Sequence, residues 1–197
     1  MESFGLLGNA LILLTLIIVI KMYLDSDHYN LKCIISDEDG KKYCVRDGSK
    51  IQEAADLLAK VSVKMEKLVK YMGNKYPERE NVKKLVNNFN PQKIVETLPT
   101  DELTAYSENK GEKLAFCLRK SKRGKQLVNE HLLTFVAIHE LSHIMTKSIG
   151  HGSEFWENFK FLLINAEKAG IHQPKDYKKN SEIYCGMSIH DNPYYDL

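Results

Sequence analysis

The chain has 197 residues, a formal net charge of +2 and 43% hydrophobic residues. This near-balanced charge gives no global electrostatic case for a nucleic-acid-binding protein. Without an apolar N-terminal stretch, about 170 residues are left, which suits one domain with its own core.

Phe4 to Leu24 is apolar except for Asn9, Thr15 and Lys21. As a helix this stretch is long enough to cross a bilayer, with Lys21 reaching back to the interface. The chain begins Met1-Glu2-Ser3 and continues after the run with Asp25-Ser26-Asp27-His28. It lacks the basic start and small-residue cleavage site of a signal peptide. The expectation is an uncleaved single-pass anchor over residues 1–24, touching lipid through residues 4–24, and a polar linker over 25–31. Lys21 and Lys32 follow the apolar core of the run, which places the domain on the cytoplasmic side.

Residues 32–197 are expected to form the folded domain. Residues 32–46 read as a β-hairpin in which Cys33 and Cys44 face each other. The two cysteines form either a disulfide or, in a reducing compartment, two free thiols. Ser49 is expected to cap a helix running to Met72, with Gln52 completing a capping box and Gly73 stopping it. Ile51, Ala54, Leu58, Val61, Met65, Leu68 and Met72 mark its core-facing stripe. Residues 78–90 and 91–98 read as short helices separated by Pro91. Residues 103–108 and 113–119 read as a second hairpin around Asn109-Lys110-Gly111. The basic run Arg119 to Lys125 is read as a solvated loop, giving at most weak contact with nucleic acid.

The most informative segment follows. Leu132 to Ile149 predicts a helix through the core that carries His139-Glu140-Leu141-Ser142-His143. Two histidines four residues apart project from one helical face, and a buried helix tolerates them with a glutamate only if something pairs with them. A metal ion supplies that pairing, and Glu140 beside it can move a proton. Gly150 ends the helix, and Ser153 caps another that runs over 153–169 to Gly170. His151 lies in the connection and Glu154 just after it; either reaches the site as a third ligand. The tail from Ile171 to Leu197 reads as irregular. In it Tyr184 is either an oxyanion donor or a packed ring, and Cys185 is a possible fourth metal ligand.

His139-Glu140-Leu141-Ser142-His143 followed by His151-Gly152-Ser153-Glu154-Phe155-Trp156 resembles the WLM and SprT-like metallopeptidases, as does Tyr106 to Arg119. The wider span from Cys33 to Pro193, with Tyr184-Cys185-Gly186-Met187, is similar to membrane-anchored WLM-like proteins of large eukaryotic DNA viruses. The resemblance implies an α+β, zincin-like domain with a small antiparallel sheet. It implies zinc on His139, His143 and His151, with Glu140 as catalytic acid/base, although seven residues between His143 and His151 depart from the shortest family spacing. In zincin-type folds an edge strand beside the metal helix takes up an extended substrate, a role for the 113–119 strand or its partner. The expected activity is hydrolysis of protein peptide bonds. The alternative is a membrane-anchored minor capsid protein whose metal only stabilises the fold. The expected partners are a protein substrate or neighbouring virion proteins, and the expected place is a virion inner membrane or a host intracellular membrane.

Overall fold

The computed structural model describes residues 5–27 and 31–196. Residues 1–4 of the expected anchor, residues 28–30 of the expected linker and Leu197 lie outside the described residues. The first helix, α1, runs Leu6–Asp27. Its large apolar side chains from Leu11 to Ile20 are about half exposed. Among the described residues no helix is long and apolar enough to cross a membrane, so the spanning anchor expected over residues 1–24 finds no support among them. Asn9, Thr15 and Lys21 interrupt α1 and Asp25-Ser26-Asp27 close it.

The domain is α+β. Strands β1 (Leu31–Ile35) and β2 (Lys42–Arg46) form the expected hairpin. Cys33 pairs directly with Cys44 in its register, and the two are joined by a disulfide. Helix α2 runs Ile51–Lys75, so it starts later and ends later than expected. No side chain caps its start, because the cap position falls on Lys50, which has no acceptor, and not on Ser49; Gln52 donates to the Ile35 carbonyl and to Asp56. Gly73 is not a stop but a packing position. A Cβ there would meet Val86 Cγ2 at 3.0 Å, so the missing side chain lets α3 (Glu80–Asn88) approach.

The second expected short helix, 91–98, is replaced by strand β3, Ile94–Glu96. β3 lies parallel to both β2 and β5 (Lys113–Phe116), and β4 (Ala105–Glu108) flanks β5 antiparallel. The sheet is therefore mixed, in the order β1-β2-β3-β5-β4, and not the small antiparallel one expected. A three-residue strand buried between parallel neighbours shows no alternation to read, and its long-range pairing overrides local propensity. Glu96 holds this centre together. Its buried carboxylate accepts from the Arg46 backbone N–H at 2.8 Å and from Arg119 Nε at 3.0 Å, and Arg46 Nε lies 3.3 Å away. Arg119 thus leaves the basic run for the core, and Lys122 Nζ donates to the Asp101 and Glu102 carbonyls.

Helix α4 runs Glu130–Met145. Asn129 caps it by accepting from the Leu132 N–H at 2.7 Å. α4 packs against α2, α3, α5 (Ser153–Lys168) and β4. It is buried nearly all round, which explains its apolar sequence. The tail is not irregular. It forms a hairpin, β6 (Glu182–Tyr184) and β7 (Met187–Ile189), followed by a 3-10 turn at Pro193–Tyr195. Cys185 and Gly186 both have positive φ, 51° and 87°, the geometry of a tight two-residue hairpin turn.

His172 is the least comfortable buried group. It is 3% exposed, its ring lies 4.3 Å from that of His131, and both of its nitrogens lack a hydrogen-bond partner. Burial pushes its pKa down to about 3, against about 6.5 in an unfolded chain. Below pH 6.5 the unfolded state takes up a proton that the folded state refuses. Stability therefore falls with pH between about 6.5 and 3, by up to about 1.4 kcal/mol per unit from this one group. Denaturant titrations from pH 7 to 4.5 are expected to show a shallower loss in His172→Leu than in the parent. Equal slopes would place the acid sensitivity elsewhere.

Candidate active site

Helix α4 sets the site. His139 and His143 lie one turn apart on the face that looks toward β4, and His151 comes back from the α4–α5 connection. His143 Nε2 lies 3.2 Å from His139 Nε2, and His151 Nε2 lies 3.1 Å from it. The three imidazoles each offer a ring nitrogen within 4.8 Å of the others, an arrangement that could hold a metal ion. Burial, and then the neighbouring imidazoles, hold the pKa of His139 down to about 3. Burial does the same for His143, at about 4. Both rings are therefore neutral at physiological pH, the form that donates a lone pair.

Phe155, in the first turn of α5, forms the platform beneath all three rings. Its ring centroid is 4.8, 4.4 and 4.6 Å from those of His139, His143 and His151. The sequence signal for this role is its position four residues after His151. Trp156 is half exposed and lies beside His151 at 6.0 Å.

α4 ends at Met145, a turn before the expected Ile149, and Gly150 (φ 88°) serves the loop rather than the helix end. Three residues shape that end. Thr146 Oγ1 donates to the Ser142 carbonyl at 2.7 Å and accepts from Asn158 Nδ2 at 3.0 Å. The Glu154 carboxylate accepts from the Lys147 N–H at 3.1 Å. It braces the loop that carries His151 and is not gathered with the triad. Lys110, from the β4–β5 turn, donates Nζ to the carbonyls of His143, Thr146 and Ser148 at 3.3, 3.0 and 2.7 Å. A cation there satisfies orphan carbonyls and faces the negative end of the helix dipole. Lys110→Met is expected to cost about 1–2 kcal/mol and to weaken metal retention, read by thermal melts with and without a chelator. An unchanged melt in both would remove Lys110 from this role.

Glu140 is 4% exposed, and burial pushes its carboxyl up to about 8. It lines the same cleft as the triad, a cavity of about 870 Å³ between α4, β4 and the β6–β7 hairpin. β4 is the edge of the sheet and lines this cleft through Ala105, Tyr106 and Ser107. Of the two strands expected as candidates for an edge beside the metal helix, β5 is interior and β4 is the edge. Tyr184 is also in the wall, but its hydroxyl donates to the Thr104 carbonyl at 3.1 Å, and burial raises its pKa. It is placed as a packed ring, not as a free donor. Cys185 is bonded to Cys117, so it offers no thiolate to a metal.

No protein-family model matches the chain. The chain has viral relatives. The uncharacterized protein R325 of Acanthamoeba polyphaga mimivirus is 28% identical over 161 residues, 80% of this chain and 81% of that protein. The uncharacterized protein 042R of Invertebrate iridescent virus 3 is 33% identical over 103 residues, 52% of this chain and 58% of that one. Among solved structures, Wss1 from Saccharomyces cerevisiae overlaps with a TM-score of 0.48 at 21% identity. It covers 64% of this chain and 89% of that one, an overlap too loose to transfer chemistry.

Proposed function

We propose that the chain is a zinc-dependent peptidase acting on protein substrates. The observation that carries this reading is the convergence of three imidazoles beside the buried Glu140 carboxyl, in a cleft with a sheet edge along one side. The donor set fits zinc. Two nitrogens bound to one tetrahedral zinc at 2.0–2.1 Å stand about 3.3–3.4 Å apart, close to the 3.1 and 3.2 Å found here. Bound by His139, His143 and His151, zinc would supply Lewis acidity toward a carbonyl oxygen and a water. Burial alone keeps the Glu140 carboxyl protonated; a cation on the triad would favour its ionised form, which could then take the proton of the attacking water and return it to the departing amine. β4 offers backbone groups on which an extended chain lies as an added strand. Phe155 holds the rings in place.

The rival is a structural virion protein with a closed metal site, which needs a fourth side chain. Among the described residues, Cys185 is committed to a disulfide and Glu154 to the Lys147 N–H. This commitment favours the open, catalytic reading. The test is metal stoichiometry of the purified full chain, with cleavage of an unfolded protein before and after chelation. About one zinc per chain, with cleavage lost on chelation and restored by zinc, supports the peptidase. One tightly held zinc without cleavage hands the site to the structural rival, and no metal sinks both.

Placement is part of the same proposal. Between Leu11 and Ile20 α1 is apolar but for Thr15, and its large side chains are about half exposed, a combination that calls for an apolar covering. We take that covering to be lipid, at a virion inner membrane or a host intracellular membrane. Release of the full chain from membranes by high salt alone would argue against it.

A further inference from the structure

Most polar groups of the cleft lie around the triad, Glu140 and Lys110. The other end is lined by Leu103, Phe135, Val136, Met187 and Ile189. Phe135 and Val136 precede His139 by four and three residues, so they sit on its face of α4, one turn toward the N-terminus. Met187 and Ile189 are two apart on β7 and share a face. Leu103 and Met187 are about half exposed at the rim, with nothing polar beside them in the lining but the Tyr184 ring and Thr104.

From this arrangement we infer that the cleft selects an extended polypeptide by one large apolar side chain next to the bond that lies over the triad. The inference rests on the peptidase reading and names its substrate class. The distance sets the position. One helical turn is about 5.4 Å and an extended peptide advances about 3.3 Å per residue. The captured side chain therefore belongs to a residue one or two places from that bond.

The direction of the strand agrees. Lys110, just beyond β4, meets the C-terminal end of α4, so Ala105 at the other end of β4 lies toward Phe135 and Val136. The far wall is fixed in advance. The Cys185 N–H donates to the Arg119 carbonyl at 3.0 Å and the Gly186 N–H to the Lys120 carbonyl at 2.8 Å. The Cys117–Cys185 bridge and the Tyr184 hydroxyl add to that anchoring. A preformed apolar pocket captures a side chain without the cost of ordering its walls. Nucleic acid is a poor occupant. Lys110 is the one Lys or Arg among the described residues that line the cavity, and its ammonium is engaged by three carbonyls.

The test separates binding from turnover. Full-length zinc-loaded Glu140→Gln is titrated with two labelled Gly/Ser decapeptides, one carrying a single central Leu and one carrying Ser in its place. The Leu peptide is expected to bind about ten- to a hundredfold tighter. Met187→Asp and Leu103→Asp, both at the exposed rim, are each expected to remove most of that preference. Equal binding of the two peptides, or a preference that survives both substitutions, overturns the inference, as does displacement of the Leu peptide by single-stranded oligo(dT). A Leu preference in binding, with no cleavage by the parent protein, keeps the pocket and removes the peptidase reading alone.

Discussion

Exchanging Glu140 for Gln is expected to lower peptide cleavage by about 10²–10⁴-fold while leaving about one metal per chain. Gln keeps the volume of a side chain that is 4% exposed in a tightly packed helix, so the fold has no reason to change. What it removes is the only carboxyl that lines the cavity among the described residues. The companion His139→Ala should do the opposite and lose the metal, because His139 Nε2 is the nitrogen that both other rings approach. Measuring metal content and initial rates in the same two preparations checks both halves. Cleavage that persists in Glu140→Gln would mean that the proton moves elsewhere.

The largest effect on stability is expected at Glu96. Its carboxylate is 1% exposed between two guanidinium groups that are themselves buried, Arg46 and Arg119. Glu96→Ala removes the buried carboxylate that both cations share, leaving their remaining hydrogen bonds to carbonyls such as those of Thr97 and Lys125, at a cost of about 3–5 kcal/mol. For a domain of this size that lowers the melting temperature by about 6–20 °C. Replacing the anion and both cations together by apolar side chains of similar volume should recover much of the loss, because the desolvation penalty disappears with the charges. If the triple replacement is no better than Glu96→Ala, packing rather than unpaired charge is the cause. The damage also reaches the cleft, since the Arg119 carbonyl receives the Cys185 N–H at the hairpin turn.

What could be read from the sequence was what is local. The three-four spacing of Ala54, Leu58, Val61 and Met65 announces α2, and Asn109-Lys110-Gly111 announces the β4–β5 turn. The four-residue step from His139 to His143 already fixes two imidazoles on one face. What could not be read depends on distant partners. Ile94–Glu96 becomes a strand only because β2 and β5 lie on either side of it. Gly73 looked like a helix stop, and its use is the approach of Val86. Cys117 and Cys185 are 68 residues apart, and nothing near either one names the other. Cys185 was considered as a metal ligand for that reason. Lys110 fell within a turn signal, while its ammonium works at the far end of α4.

On the proposed peptidase reading the chain is a substrate within its own reach, and the Cys117–Cys185 bridge changes what self-cleavage would do. The bridge closes a loop that contains α4, α5 and all three histidines. Within that loop Ile149 is 96% exposed, one residue from Gly150 at the edge of the cleft. A cut there severs the backbone between His143 and His151 but separates nothing, because both pieces stay covalently joined across the sheet and the hairpin. Such a molecule would run as one band under oxidising conditions and as two after reduction. It would pass for intact, with its third imidazole now on a chain end, until a thiol released it.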